Sequence, residues 1–382
     1  MLKNIKQDIK NIILLLFIVG ILSLIVYVTV YSHKEYTKNV NLNIETYNYK
    51  NSESQVKDET IKLESMISVK DYILDMKFNG DKLMAISDHI SNNKSEINIY
   101  DIDIENKKIK NVETIKSEND IMYKMGSISP SRDIIVYDTI SENKSDQFNN
   151  VKSIVYNMAD ESKVTLDFYF NILGWIPDSS GFYGYKKGEL FEYSIDDNQI
   201  NNKYKYNLKS YGYIDKIAFS QDGTKLYSLN ISKNEICIYD LKNDTTKKIN
   251  SVKNIYDFEV LNDNNILIKA SNSKQNYICV YNIQNHKKKV IKGIHLDDMY
   301  ISKDKTKLVT VYYTGNSEST IDVYNISGYD SDFDFYKLGS IPMIKGIPYI
   351  DISDNNKLAY FVDGASYTES NIYIYDITNK KW

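Results

Sequence analysis

Apolar positions follow two regimes along this chain. Residues 12–31, IILLLFIVGILSLIVYVTVY, form an unbroken run without a charge. From residue 60 onward, apolar residues come instead in short alternating runs separated by clusters of Asn, Asp, Ser, Lys and Gly. Period-two alternation between turn residues predicts strands, and no helical period is sustained between them. Residues 32–59 are polar, hold no Gly or Pro, and read as a linker or stalk.

As a helix, the first run would rise about 30 Å, the thickness of a bilayer's hydrocarbon. It is therefore expected to be an uncleaved transmembrane helix. A cleaved signal peptide has a shorter apolar core and small residues at its cleavage site, whereas this run ends VTVYSHKEY and no Cys follows to take a lipid. Lys3, Lys6 and Lys10 precede it against Asp8, while Lys34 and Lys38 flank Glu35 beyond it. The positive-inside rule places residues 1–11 in the cytoplasm and everything after residue 32 outside. A tail of that length is too short for a folded effector domain.

The alternating region repeats. A strand ending in Tyr and a small polar residue recurs as INIYDI at Tyr100, SIVYNM at Tyr156, LFEYSI at Tyr193, ICIYDL at Tyr239, ICVYNI at Tyr281, IDVYNI at Tyr324 and IYIYDI at Tyr375. The spacing averages about 46 residues, within the range of propeller-blade repeats. Before each copy come two apolar strands joined by a polar turn, as in MKFNGDKLMAIS (76–87) and IAFSQDGTKLYS (217–228). A weaker fourth strand follows, for example TTKKINSV (245–252). Four strands per unit without intervening helices predict an all-β seven-bladed propeller over residues 60–382. Only TNKKW follows the last Tyr-marked strand, while IKLESMI (61–67) precedes the first blade with the right alternation. Residues 60–70 are thus expected to supply the strand that closes the seventh blade.

The stretch FSQDGTKLYSLNISKNEICIYDL (219–241) resembles the repeat of WD40-like propellers of the TolB and YVTN type, in which a Ser-Pro-Asp-Gly-like turn joins the first two strands. WIPDSSGFYGY (175–185) is similar to blades that precede the hydrolase domain of prolyl oligopeptidases, although no such domain is expected here. The resemblance covers residues 70–382 and implies a fold; it names no reaction. Blade five departs from it, with LNDNN where Gly is the usual residue, and blade three is short.

Composition agrees with a β protein: 34 Tyr and only 4 Pro. A net charge of −4 leaves no nucleic-acid footprint. SQDG looks like an ion-gripping loop when read alone. Across the seven blades, however, the acid drifts in position and number while the turn residues persist, so the turn reading prevails over a calcium loop. The Tyr-marked strands are expected to be core. Cys237 and Cys279 hold equivalent places in adjacent blades, and such positions point the same way rather than at each other; both are expected to be buried free thiols. His33, His89, His286 and His295 form no metal-ligand spacing, and His89 and His286 read as solvated loop residues. No GxSxG, Walker or dinucleotide glycine pattern occurs, and no cofactor is expected.

One constellation remains. Asp75, Asp257 and Asp298 each stand three residues before the last apolar residue of an innermost strand, with Asp215 one position off that register. Two readings stand: strand-start residues engaged in turn chemistry, or a cation or basic-ligand site at the channel mouth. Polar segments between second and third strands, 87–96, 139–150, 313–319 and 363–370, read as variable loops on one rim, the place where a binding surface is expected. The sequence thus suggests a single-pass protein of a bacterial cell membrane whose extracytoplasmic propeller binds a protein or envelope polymer. The alternatives are a propeller-type glycoside hydrolase or lyase, and a sensor subunit of a membrane complex.

Overall fold

The computed structural model describes residues 44–48, 61–80, 82–91, 94–116, 121–141, 151–166, 171–186, 189–195, 199–201, 214–272, 275–315, 317–329, 333–362 and 370–378. The expected membrane span, 12–31, lies outside them. Among the described residues no helix is long and apolar enough to cross a membrane.

Seven antiparallel sheets follow one another around a ring. Their innermost strands are Tyr72–Asn79, Ile121–Ile128, Asn171–Trp175, Lys216–Phe219, Ile255–Val260, Asp298–Ile301 and Pro348–Ile352. Each is followed in the chain by the next strands outward, so blades one to six run from centre to rim in sequence order. Blade seven differs: its outermost strand is Lys62–Val69, paired with Ser370–Asp376 from Lys62↔Asp376 to Val69↔Ser370. A further strand, Ile44–Asn48, lies on the outer edge of blade five, within the stretch that reads as linker.

The core is divided rather than central. Among the described residues seven apolar clusters occur, and each draws its residues from two neighbouring blades. Middle strands are therefore buried on both faces, as in Leu226–Asn230, where five successive residues are buried. This is why these strands read as near-continuous apolar runs. Outer strands face water on one side and alternate: in Lys62–Val69, Ser65, Ile67 and Val69 are buried while Leu63 and Met66 are exposed. Ile67 and Val69 pack with Ile73, Met76, Ile372 and Ile374, so the closing strand belongs to the interface between blades seven and one.

The repeated turn is a turn in the structure too. Ser220 and Lys225 bond through their backbones, and Gly223 adopts φ +68°, which a side chain would strain. The Asp222 carboxylate accepts Ser220 Oγ and Thr224 Oγ1, which pulls its pKa down to about 2. Gly181 has a different constraint: a Cβ there would meet the Tyr193 carbonyl of the neighbouring strand. Five of the seven repeat tyrosines, Tyr156, Tyr193, Tyr239, Tyr281 and Tyr324, are buried, in agreement with a packing role. Cys237 and Cys279 are free and buried, each at a different blade interface.

Two readings require correction. Residues 87–91 and 94–96 are not loop but the ends of the long strands Lys82–Ser91 and Lys94–Asp103; in blade six, 313–315 and 318–319 likewise extend a hairpin. At Tyr313, Thr314 and Gly315 the strand end faces water, whereas Ser87 and Asp88 are buried; in both hairpins polar composition mimics a loop. His89 and His286 are not merely solvated: His89 Nδ1 lies 2.6 Å from Asp71 and His286 Nδ1 lies 2.7 Å from the Tyr281 hydroxyl.

Two outcomes follow from this packing. Ile67→Ala should cost about 2–4 kcal/mol in urea unfolding, and Met66→Ser less than about 0.5 kcal/mol, because only the former opens a cavity at the closing interface. Among the described residues the buried Tyr193 hydroxyl has no hydrogen-bond partner, whereas that of Tyr156 donates to Glu113. Tyr193→Phe should therefore leave stability equal or raise it by about 1 kcal/mol, while Tyr156→Phe lowers it by a similar amount.

Candidate functional site

The innermost strands bring polar side chains to the channel, where a blade of this architecture has no apolar neighbour to cover. Asp75, Asp257 and Asp298 do share one register, opposite Ile86, Lys269 and Val311 of their second strands. Each has its own hydrogen-bond partners.

Asp75 accepts the amide of Met76 at 2.8 Å and, across the blade interface, that of Ile128 at 2.9 Å. Asp257 accepts the amide of Phe258 and the ammonium of Lys216, both at 2.8 Å; the same ammonium reaches Glu259 at 2.7 Å. Burial works against the Lys216 cation, but Glu259 and Asp257 outweigh it and hold its pKa above the usual lysine value. Asp351, which the sequence did not single out, accepts the amide of Phe78 in blade one at 2.6 Å and lies 3.6 Å from Lys77. Trp175 Nε1 donates to Ser127 Oγ at 2.9 Å. These contacts tie blade one to seven, one to two, two to three and four to five. The polar channel lining is a set of interblade ties.

Asp298 stands apart. It accepts the Tyr313 hydroxyl at 2.6 Å, its nearest cation is Lys269 at 3.7 Å, and its side chain is 44% exposed. Tyr300 lies beside it; burial, Asp298, Asp257 and Tyr349 together push the Tyr300 hydroxyl up to about 12. Tyr349 stacks on Phe361, with ring centroids 5.0 Å apart and planes at 9°.

Among the described residues, exposed large apolar side chains fall into two groups. Leu63, Met66, Ile109 and Val112 lie on the outer strands of blades seven and one. Ile231, Tyr256, Tyr313, Ile347 and Tyr349 lie on one rim of four consecutive blades, four to seven, where inner strands begin and second strands end. Tyr256 owes its exposure to a β-bulge between Ile255 and Asp257, which takes it out of the ladder. This rim holds the hairpin tips and includes Asp298.

Sequence reasoning missed a second polar centre. Asp71, between the closing strand and the first inner strand, is buried and accepts Ser87 Oγ and Asn98 Nδ2 at 2.9 Å, as well as the Tyr100 hydroxyl and His89. Burial pushes this carboxyl up, but the hydrogen bonds from Tyr100, Asn98, His89 and Ser87 outweigh it and hold it below the ordinary value. The Ser87 hydroxyl donates to the carboxylate rather than to the imidazole, so the group is not arranged as nucleophile and base. It fixes the point where the chain passes from blade seven into blade one. A carboxylate preceding a strand is visible in sequence; its four donors come from two other strands and are not. A separate cleft of about 450 Å³, lined by Lys62, Glu64, Glu105, Lys107, Lys357 and Asp376 among others, lies between the closing strand and blade one, and carries no excess of either charge. Among the described residues no group of three or more His, Cys, Asp or Glu side chains is placed to hold a metal ion.

No protein-family model matches the sequence, and no curated protein does. Among solved structures, the chain is similar to the Myceliophteria thermophila Cps50 (Swd1) β-propeller domain, with 12% identity, a TM-score of 0.51 and coverage of 83% of this chain and 100% of that one. It is similar also to Chaetomium thermophilum Raptor, at 11% identity and a TM-score of 0.53, over 83% of this chain and 29% of that one. A third is the WD40 domain of Toxoplasma gondii coronin, at 11% identity and a TM-score of 0.50, over 84% and 88% of the two chains. At these identities the likeness is one of fold, the WD40-like seven-bladed propeller.

Burial raises the Asp75 pKa to about 6, above its usual value of 3.8. The folded state therefore binds that proton more tightly than the unfolded chain does. Its stabilising contribution is complete below pH 3.8 and is lost as pH rises through about 6. Between pH 3.5 and 7 the stability of Asp75→Asn should gain on the unmodified protein by about 3 kcal/mol. Parallel urea midpoints over that range would contradict the assignment.

Proposed function

We propose that this protein is a binding module, a propeller that holds a protein or envelope-polymer ligand on the rim of blades four to seven, tethered by residues 12–31 to a bacterial cell membrane with residues 1–11 cytoplasmic and the propeller outside. The observation that carries the reading is the run of exposed Ile231, Tyr256, Tyr313, Ile347 and Tyr349 over four successive blades. Exposed apolar side chains grouped on one rim mark an interaction surface, whereas scattered ones need no explanation. Tyrosines serve such a surface well, since a rigid ring buries area at small entropic cost while its hydroxyl keeps a polar partner.

The hydrolase reading loses support from the same geometry. A glycosidase needs two carboxyl groups facing one sugar, one protonated and one free. Asp257 is clamped by Lys216, and Asp75 and Asp351 by interblade amides, so no such pair stands open among the described residues. The tether rests on the charge-free length of 12–31 and the lysines that precede it.

Capture of envelope components by the full chain tests the binding reading. Tyr256→Ser, Tyr313→Ser and Ile347→Ser combined should lower specific capture about tenfold, while Leu63→Ser with Met66→Ser on the outer strand leaves it unchanged. Equal loss from both sets, or from neither, would remove the rim from the binding surface. Alkaline carbonate extraction tests the tether: the protein should stay with the membrane pellet, and a chain lacking residues 1–31 should not.

A further inference from the structure

If the rim of blades four to seven binds a ligand, its electrostatics narrow what that ligand presents. The other carboxylates at this end of the channel are engaged. Asp215 and Asp297 accept the amides of Ile231 and Tyr313, each at 2.7 Å. Asp257 is neutralised by Lys216. Among these carboxylates, Asp298 combines substantial exposure with incomplete satisfaction: one tyrosine hydroxyl, and one lysine at 3.7 Å that itself donates to the Asp297 carbonyl and is only 11% exposed.

Around Asp298 the walls are aromatic. Tyr313 donates to it, and Tyr300 feels both its charge and Tyr349. An exposed carboxylate attracts a cation through its charge and repels an acidic ligand. A hard metal ion is poorly served, because calcium takes six to eight oxygen ligands and this mouth offers one carboxylate and phenol groups. An organic cation fits better, and the exposed Tyr256 and Ile347, on the same rim in the two neighbouring blades, offer apolar contact to atoms flanking that cation. Charge at the centre with apolar contact around it describes a basic residue within a protein segment better than a free small ion.

We propose that the mouth bounded by Asp298, Tyr300, Tyr313 and Tyr349 takes a lysine or arginine side chain from an extended segment of a protein partner, with flanking apolar residues of that segment resting on the rim. The proposal deepens the binding reading and rests on it. It assigns the positive ligand chemistry to Asp298 alone among the three aspartates aligned in sequence, and leaves Asp75 and Asp257 as interblade ties.

The test uses the full chain and a fluorescein-labelled heptapeptide library whose central residue is fixed as Lys, Arg, Glu or Leu, the other positions being mixed apolar and small residues. The Lys and Arg pools should bind about tenfold more tightly than the Glu and Leu pools, and the margin should shrink as salt rises from low to about 0.5 M. Asp298→Asn, which keeps an oxygen for the Tyr313 hydroxyl, should abolish the preference for basic pools with little loss for the Leu pool. Tyr349→Ser should weaken all pools, and supplies the second variant if Asp298→Asn fails to fold, as judged by its melting transition. Equal binding of all four pools, still sensitive to Tyr349→Ser, would overturn the cationic ligand while leaving the rim as a binding surface. Binding that ignores both substitutions, or no binding by any pool, would overturn the proposed mouth.

Discussion

A sheet with two apolar faces has to be covered on both, and this chain meets that demand by setting each blade against the next. The seven apolar clusters are all shared between neighbours, so no blade owns a core that would survive alone. Stability is therefore a property of the closed ring. An open array would leave one face of the first blade and one of the last in water, which gives the pairing of Lys62–Val69 with Ser370–Asp376 its weight.

Packing faces cannot cover the channel, where the inner strands point their remaining side chains, and the sequence places charge there. Asp75, Asp351 and Lys216 each reach the adjacent blade, so the polar lining reinforces the seams that the apolar clusters make. Burial raises the Asp75 pKa even though two amides bond its carboxylate, a sign that the tie is held at an electrostatic cost. Asp298 sits at the same register; Lys269 of blade five lies 3.7 Å from it across the seam, yet its side chain stays 44% exposed, and Tyr313 and Tyr349 on the same rim are exposed as well. One position of the repeat thus serves two ends, according to what the next blade offers.

The blade count was legible because burial on two faces leaves a strong mark: the strand ending at Tyr239 or Tyr281 is nearly all apolar, and a polar turn such as that at Asp222 and Gly223 precedes it by one strand. The shared register of the three aspartates was legible for the same reason. Their partners were not, since Lys216 and Ile128 come from other blades and carry no local signal. Strand ends at the rim were misread because their side chains are polar: at 313–315 water faces them, and at Ser87 the partner is the buried Asp71. Asp71 escaped notice because an isolated acid before a strand is ordinary, and only the fold assembles its four donors. Tyr256 looks like one more strand tyrosine until the bulge removes it from the ladder.

The closing strand also sets an order in time. Ser68 bonds Asn371, 303 residues further along the chain. At the usual pace of synthesis, about 5–20 residues per second, Lys62–Val69 leaves the ribosome roughly 15–60 seconds before its partner exists. For that interval it is a strand with an unpaired edge, a buried-type face of Ile67 and Val69, and exposed Leu63 and Met66. Lys62, Glu64 and Lys70 interrupt its apolar character and act as gatekeepers against premature pairing. Six blades can stack in the meantime, and the ring becomes a single cooperative body only when the last strand finds the first.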